Sequence, residues 1–326
     1  MKNIIKSIGL CFGLGLILQA CDDWTIPENK AIQNLNDQNL KSEEYYEKLR
    51  EYKKTDHQIA FGWFGGWNGG KDATSARGAL RSAPDSMDII SIWSKTYYNL
   101  SEEQKADLKF VQEKYGTKVT YTVFSHNMLN LFYDAPDRFE NIAENIPAAA
   151  KALADSIHKY GYDGIDFDHE CGGSDLFYNK DNMTTLLREM RKNLGPDKLI
   201  LVDGNLKLIT EEGWSYVNYA VAQSYNAGRP KRMQDLYDLI DEYMKPEQYI
   251  VTENFESYWE NGGVNYTDAD GNVMPSLLGM ATWQPEGGGR KGGCGAYHME
   301  YEYVHNPDYK YMRQAIQIMN PANPNN

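Results

Sequence analysis

Short apolar runs, bounded by polar, glycine or proline residues, recur along most of the chain after residue 58. Runs of this length and composition predict β-strands. Eight are predicted, over residues 59–64, 88–93, 118–124, 162–168, 199–204, 219–225, 249–255 and 278–283.

Between several of these runs, apolar residues recur at three- and four-residue steps, which is typical of one face of a helix. One such face precedes the fourth strand and ends at Gly161; it consists of Ile146, Ala149, Ala150, Leu153, Ile157 and Tyr160. Others follow the fourth strand (Leu186, Leu187, Met190, Leu194) and the sixth (Leu236, Leu239, Ile240, Tyr243). A short helix is expected after the fifth strand, and residues 256–277 are expected to be loop. Eight strands alternating with helices predict an α/β fold, a (β/α)8 TIM barrel with one or two irregular helices.

The first twenty residues predict export. Lys2 and Lys6 precede an apolar run that is too short for a transmembrane helix, and "LQAC" ends it at Cys21. This ending resembles a bacterial lipoprotein cleavage site, which would make Cys21 the lipidated first mature residue; an ordinary secretory peptide is the alternative. The predicted organisation is a signal peptide over 1–20, a polar tether over 21–44 and a single catalytic barrel domain over 45–326. We therefore expect a lipoprotein of the outer membrane or cell surface of a Gram-negative bacterium.

Charge and cysteine content narrow the possible partners. The formal net charge is −13 and becomes −15 once Lys2 and Lys6 are removed, which disfavours binding to nucleic acid or anionic lipid. The mature chain keeps Cys171 and Cys294 besides Cys21. These two could form one disulfide, but nothing in the sequence brings them together. We expect no metal, no cofactor and a monomer.

The segment "GYDGIDFDHE" (161–170) places four acids in and after a predicted buried strand. Alternate strand residues share a face, so Asp166, Asp168 and Glu170 point the same way while Asp163 is out of phase. Carboxylates this close raise each other's pKa, and the end of a barrel strand is where active sites form. The inner two acids could share a proton and the outermost could serve as a general acid. The alternative is a strand end that binds a cation or caps the next helix.

The spacing Asp163-x-x-Asp166-x-Asp168-x-Glu170 resembles the DxxDxDxE signature of glycoside hydrolase family 18, the chitinases and endo-β-N-acetylglucosaminidases. The resemblance implies that Glu170 protonates the glycosidic oxygen while the substrate's own 2-acetamido oxygen attacks the anomeric carbon. It also implies that Asp168 orients the acetamido N–H and that Asp166 tunes the proton of Asp168.

Two further features bear on the branch of that family. "AVAQSYN" places Gln223 and Tyr225 on one face, a pair that resembles the endo-β-N-acetylglucosaminidases; Asn226 stands where chitinases carry an Asp. The link 256–277 is too short for the inserted subdomain of many chitinases, which favours an open site. The expected substrate is the GlcNAc-β-1,4-GlcNAc core of N-linked glycans, with a non-catalytic glycan-binding lipoprotein or a small chitinase as alternatives.

Aromatic residues supply candidate sugar contacts. Trp283, at the end of the predicted eighth strand, matches the position where the family has a tryptophan under the sugar at the cleavage site. Trp63, Trp67, Trp93 and Tyr97 lie at or beyond the ends of strands one and two and either line further subsites or pack in the core. The glycine-rich stretch 285–295 has no phosphate-loop order and is expected to be a flexible substrate loop.

Overall fold

The computed structural model describes residues 40–71, 76–93, 99–130 and 139–321. These residues belong to one compact unit, Asn39–Asn326. The predicted signal peptide, Cys21 and the tether as far as residue 39 lie outside the described residues. No helix within the described residues is both long enough and apolar enough to cross a bilayer.

Eight parallel strands form a closed barrel, which confirms the predicted fold. The described strands are Ile59–Gly65 (β1), Ile89–Trp93 (β2), Lys118–Phe124 (β3), Gly164–His169 (β4), Leu199–Gly204 (β5), Tyr219–Ala222 (β6), Tyr249–Asn254 (β7), Asn265–Thr267 (β8), Val273–Pro275 (β9) and Gly293–Tyr297 (β10). Around the barrel the order is β1, β10, β7, β6, β5, β4, β3 and β2. The two remaining strands, β8 and β9, form a separate antiparallel pair.

The predicted eighth strand, 278–283, is wrong. Those residues lie in a helix, Ser276–Thr282, and the strand that closes the barrel between β1 and β7 is β10. A Cβ atom on Gly295 would lie 2.0 Å from the carbonyl oxygen of Phe61, so this close approach to β1 requires glycine. The glycine-rich stretch is therefore partly a barrel strand, whereas a short apolar run such as 278–283 is equally compatible with a helix.

Helices cover the outside of the barrel. They are Glu43–Tyr52 (α1), Glu102–Phe110 (α2), Ile146–Tyr160 (α3), Lys180–Leu194 (α4), Glu211–Trp214 (α5), Pro230–Tyr237 (α6), Phe255–Tyr258 (α7), Ser276–Thr282 (α8) and Lys310–Met319 (α9). α3 buries the predicted apolar face and ends at Gly161, whose φ of 78° is the left-handed conformation that glycine adopts readily. α6 begins and ends earlier than predicted, so Leu239 and Tyr243 are exposed in the turns that follow it.

The segment between β7 and β10 is more structured than the loop expected from the sequence. It contains α7, the β8–β9 pair and α8 before β10 begins at Gly293. The longer connection arises because β10 begins well after the strand predicted at 278–283.

Two apolar clusters hold the fold together. The inner one fills the barrel and consists of Phe61, Trp63, Ile89, Leu201, Val221 and Ile250. The outer one lies between strands and helices and includes Cys171 and Cys294, which are buried free thiols rather than a disulfide.

Candidate functional site

The carboxyl end of β4 carries the acidic row predicted from the sequence. Asp166 and Asp168 are 0% and 6% exposed, whereas Glu170, which follows the last strand residue, is exposed. The strand alternation therefore places two carboxylates inside the barrel and a third at its rim.

Asp163, the first acid of the motif, lies at the opposite end of this row. Its carboxylate accepts hydrogen bonds from the Gln112 side chain (2.8 Å) and the backbone N–H of Val119 (2.9 Å). Lys118 donates a third, at 3.2 Å. Asp163 thus joins β3 to β4 and has no direct part in the site.

Asp166 is anchored by two donors. The indole N–H of Trp63 lies 2.6 Å from Oδ2, and the hydroxyl of Thr122 lies 3.0 Å from the same atom. Burial raises the pKa of Asp166 to about 6, and these hydrogen bonds oppose that rise. Asp166 is therefore the buried acid of β4 that ionises more readily.

Asp168 holds its proton more strongly. Burial, followed by the charges of Glu170 and Asp166, raises the pKa of Asp168 to about 8. Its Oδ1 is buried and has no hydrogen-bond partner among the described residues. This raised pKa favours the protonated form of the Asp168 carboxyl at neutral pH.

Asp203 is a third buried carboxyl, which the motif did not indicate. It pairs with Asp168 in the β4–β5 register and is 1% exposed. Burial raises its pKa, and the charges of Asp168 and Asp166 raise it further. Gln223 donates from Nε2 to Asp203 Oδ2 at 2.7 Å. The signal in the sequence is an acid at the last inward-facing position of an apolar strand, just before Gly204.

A cavity of about 180 Å³ opens above these acids. It is lined by Trp63, Trp93, Thr122, Phe124, Asp168, Glu170, Asp203, Gln223, Tyr225 and Tyr297. Glu170 and Gln223 also border a neighbouring cavity of about 510 Å³, so there is space on both sides of the rim acid.

The predicted pair after β6 lies in this cavity. β6 ends at Ala222, and both Gln223 and Tyr225 line the wall beyond it. Burial raises the pKa of Tyr225 far above its usual range, so its hydroxyl remains a hydrogen-bond donor. Asn226 does not line the cavity: its φ is 60°, and its backbone N–H donates to Glu253 at 2.8 Å, which fixes the turn that follows.

Trp283 is not where the sequence placed it, because 278–283 is not a barrel strand. It follows α8, is 7% exposed, and packs with its ring 6.2 Å from that of Tyr249, the first residue of β7. Since Asp168 lies toward the carboxyl end of the strands, Trp283 belongs to the outer core near the opposite end. Tyr297, the last residue of β10, lines the cavity instead.

Aromatic rings form much of the remaining wall. Tyr297 lies 5.7 Å from Trp93 and 6.1 Å from Tyr225, measured between ring centroids. Trp63 lies at the base and is 2% exposed. Trp67 lies elsewhere and donates to Asp107 at 2.9 Å, while Tyr97 is outside the described residues.

Metal ligands are not grouped in the described parts of the chain. No set of three or more His, Cys, Asp or Glu side chains there has an arrangement that could hold a metal ion. The acids of the site instead differ in how readily they ionise, which suits proton transfer.

A TIM barrel with acids at the carboxyl end of β4 and an aromatic-lined cavity defines the class of the protein, the barrel-type glycoside hydrolases. The family model "Glycoside hydrolase family 18, BT1044-like" matches residues 25–318, and the chain belongs to this family.

Several proteins are similar to this chain. Endo-beta-N-acetylglucosaminidase F2 of Elizabethkingia meningoseptica is 26% identical over 300 residues, covering 84% of this chain and 85% of the relative. A solved structure of a glutamate-to-glutamine variant of BT1044 is 31% identical, with a TM-score of 0.77, covering 86% of this chain and 93% of that one. The apo endo-beta-N-acetylglucosaminidase of Cordyceps militaris shares the fold, at 24% identity and a TM-score of 0.67, over 88% of this chain and 99% of its own.

Proposed function

We propose that this protein is an endo-β-N-acetylglucosaminidase that hydrolyses the GlcNAc-β-1,4-GlcNAc core of N-linked glycans. The observation that carries the proposal is the meeting of Asp168, Glu170, Gln223 and Tyr225 around one cavity. The name of the Elizabethkingia relative, endo-beta-N-acetylglucosaminidase F2, supports the same kind of activity.

The proposed reaction is retaining and assisted by the substrate. Glu170 donates its proton to the glycosidic oxygen as the bond from that oxygen to the anomeric carbon breaks. The carbonyl oxygen of the substrate's 2-acetamido group attacks that carbon and forms an oxazolinium. Glu170, now a carboxylate, then takes a proton from water. This water attacks the anomeric carbon and opens the oxazolinium ring, with net retention of configuration.

The inner acids stabilise the positive charge that develops on the acetamido group. Asp168 holds a proton in the free protein because of its burial and the charges near it. Transfer of that proton toward Asp166 leaves Asp168 as a carboxylate that accepts the acetamido N–H and stabilises the cationic intermediate. Gln223 and the Tyr225 hydroxyl provide donors for the acetamido oxygen.

Two adjoining spaces support cleavage inside a glycan rather than at its end. Glu170 borders both the 180 Å³ cavity and the 510 Å³ cavity. A sugar chain can therefore continue on either side of the bond that Glu170 protonates.

The test is incubation with a mannose-rich glycoprotein and, in parallel, a complex-type one, followed by mass analysis. The expected product is a glycan ending in one GlcNAc, with the second GlcNAc left on asparagine. The Glu170→Gln variant is the control and should release none. Cleavage of chitin oligomers without action on either glycoprotein would identify a chitinase, and glycan binding without hydrolysis by the wild type would identify a lectin.

We also propose export and lipid anchoring through Cys21, with a monomeric enzyme acting from the outer membrane or cell surface. The support is the sequence of residues 1–21. Replacement of Cys21 by serine should move the protein from the membrane fraction to the soluble fraction. An unchanged distribution would contradict the proposal.

A further inference from the structure

A third cavity opens beside the acidic one, at the ends of β1 and β10. Its volume is about 370 Å³, within the range of about 300–1,000 Å³ typical of small-ligand pockets. It is lined by Gly65, Gly66, Asn68, Arg77, Gly78, His298, Glu300 and Tyr301.

Glu300 carries an unmet hydrogen-bonding capacity. The residue is 5% exposed, and its Oε1 lies 2.6 Å from His298 Nδ1. Its Oε2 is buried and has no hydrogen-bond partner among the described residues. A buried carboxylate oxygen left without a donor is unfavourable, so a ligand that donates there would be bound.

Two glycines line the cavity beside this carboxylate. A Cβ atom on Gly65 would lie 2.5 Å from Glu300 Oε1 and 2.7 Å from His298 Nδ1, so any larger residue would displace this pair. Gly66 has a φ of 63° and no atom within 4 Å of a Cβ built on it. Glycine at both positions leaves the cavity without a side chain on this side.

One wall is a stack of flat groups. The imidazole of His298 lies parallel to the Tyr301 ring, with centroids 4.7 Å apart and an angle of 19°. The guanidinium of Arg77 lies 5.2 Å from the Tyr301 centroid. The edges of this stack, beside the Glu300 carboxylate, present apolar and hydrogen-bonding groups together, which suits a pyranose with its apolar and hydroxyl faces.

Tyr297 separates this cavity from the acidic one. Its ring lines the acidic cavity, and its centroid is 4.3 Å from that of His298, which lines the third cavity. The two cavities are therefore neighbours along the rim, and one branched ligand can occupy both.

We propose that the cavity formed by Arg77, His298, Glu300 and Tyr301 binds a neutral hexose on a branch of the glycan whose core lies at Glu170. The inference rests on the proposed function for the identity of the ligand. Glu300 accepts a hydroxyl donor from the sugar at Oε2, and the carboxylate of an acidic sugar offers no donor for that atom.

The kinetic test compares two glycopeptides, one carrying a branched mannose-rich glycan and one trimmed to a single mannose on the GlcNAc pair. Glu300→Gln and Tyr301→Leu should each lower kcat/KM about 10-fold or more on the branched substrate and change it less than 2-fold on the trimmed one. Tyr303→Leu, in the same turn but outside the cavity, is the matched control and should leave both values unchanged. Equal losses on both substrates, or no loss on either, would overturn the subsite.

A binding test separates this inference from the proposed function. Calorimetry with free branched mannotriose, with sialyllactose as the acidic comparison, needs no turnover. Wild type should bind the mannotriose, and Glu300→Gln should weaken that binding about 10-fold or more. Absence of binding to the wild type, or preference for sialyllactose, would overturn the subsite even if the enzyme cleaves the core. Binding without cleavage of any glycopeptide would support the subsite and refute the activity.

Discussion

Replacement of Asp168 by asparagine is expected to stabilise the protein while abolishing its proposed function. Asp168 is 6% exposed, and its Oδ1 has no hydrogen-bond partner among the described residues. The substitution keeps the shape of the side chain and removes the ionisable group, so few favourable contacts are lost. Active sites commonly hold groups that cost stability.

The sign of this stability change follows from proton binding. In the unfolded chain an aspartate has a pKa of about 3.9, whereas burial and nearby acids raise that of Asp168 to about 8 in the folded protein. The folded state therefore binds a proton at Asp168 that the unfolded state releases. The contribution of Asp168 to the free energy of unfolding consequently falls as pH rises from about 4 to about 8. Above the folded pKa the loss is complete.

The magnitude of the stabilisation at pH 7 follows from the same pKa shift. Three pKa units between 3.9 and 7, at about 1.4 kcal/mol each, give an upper limit of about 4 kcal/mol. Because the proton is shared electrostatically with Asp166 and Asp203, we expect about 2–4 kcal/mol to be recovered in Asp168→Asn. For a domain of this size the melting temperature should rise by roughly 4–8 °C.

The assay is urea unfolding of wild type and Asp168→Asn at pH 5, 7 and 8. The difference in free energy of unfolding should grow with pH across this range. Asp163→Asn is the matched control, an identical change in the same motif. Because Asp163 accepts three hydrogen bonds, its loss should cost about 1–3 kcal/mol.

Two results would refute the reasoning. One is an Asp168→Asn protein less stable than wild type at pH 7, which would mean that the carboxyl makes a net favourable interaction. The other is an unchanged pH dependence of stability, which would place the retained proton on another group.

Three further predictions concern single side chains. Glu170→Gln should lower kcat at least 100-fold, the order expected for loss of a general acid, with glycan affinity within a few-fold of wild type; a kcat near wild type would show that another acid acts. Gln223→Leu should lower kcat/KM about 10–100-fold through loss of a hydrogen bond to a charged intermediate, and a change under 2-fold would remove Gln223 from the mechanism. Trp283→Leu should cost about 2–4 kcal/mol of stability by leaving a cavity in the outer core. Its kcat/KM at 20 °C should stay within about 2-fold of wild type because the site is remote. A large loss of kcat/KM in a folded variant would contradict the placement of Trp283.

Seven of the eight barrel strands could be predicted because their apolar runs are rich in β-branched and aromatic residues. "KVTYTVF" and "YIVTEN" need no tertiary information to be recognised. β10 could not be predicted, because its sequence, "GCGAY", has glycines where strands normally disfavour them. The reason for those glycines is the approach of β1, which is visible only once the barrel is closed.

The site residues likewise divide into those that could be predicted from the sequence and those that could not. The acidic row of β4 and the Gln223–Tyr225 pair follow from strand alternation, since each set lies on a single element or its direct extension. Asp203 and Tyr297 become part of the site through contacts between strands distant in sequence, so local patterns could not single them out. The error at Trp283 followed from the wrong eighth strand: the strand that closes the barrel ends at a tyrosine, Tyr297, rather than at a tryptophan.

The packing that forms the barrel also sets the chemistry of its acids. The inner apolar cluster, which includes Leu201, Val221 and Ile250, fills the barrel that encloses Asp166 and Asp168, and burial is the largest cause of both raised pKa values. Two further causes separate the pKa values of the two acids: the charges of Glu170 and Asp166 raise that of Asp168, and hydrogen bonds from Trp63 and Thr122 lower that of Asp166. A substrate N–H that reached Asp168 would supply the missing donor and lower its pKa toward that of Asp166. In the proposed reaction, substrate binding therefore moves the proton from Asp168 toward Asp166 with no change in the fold.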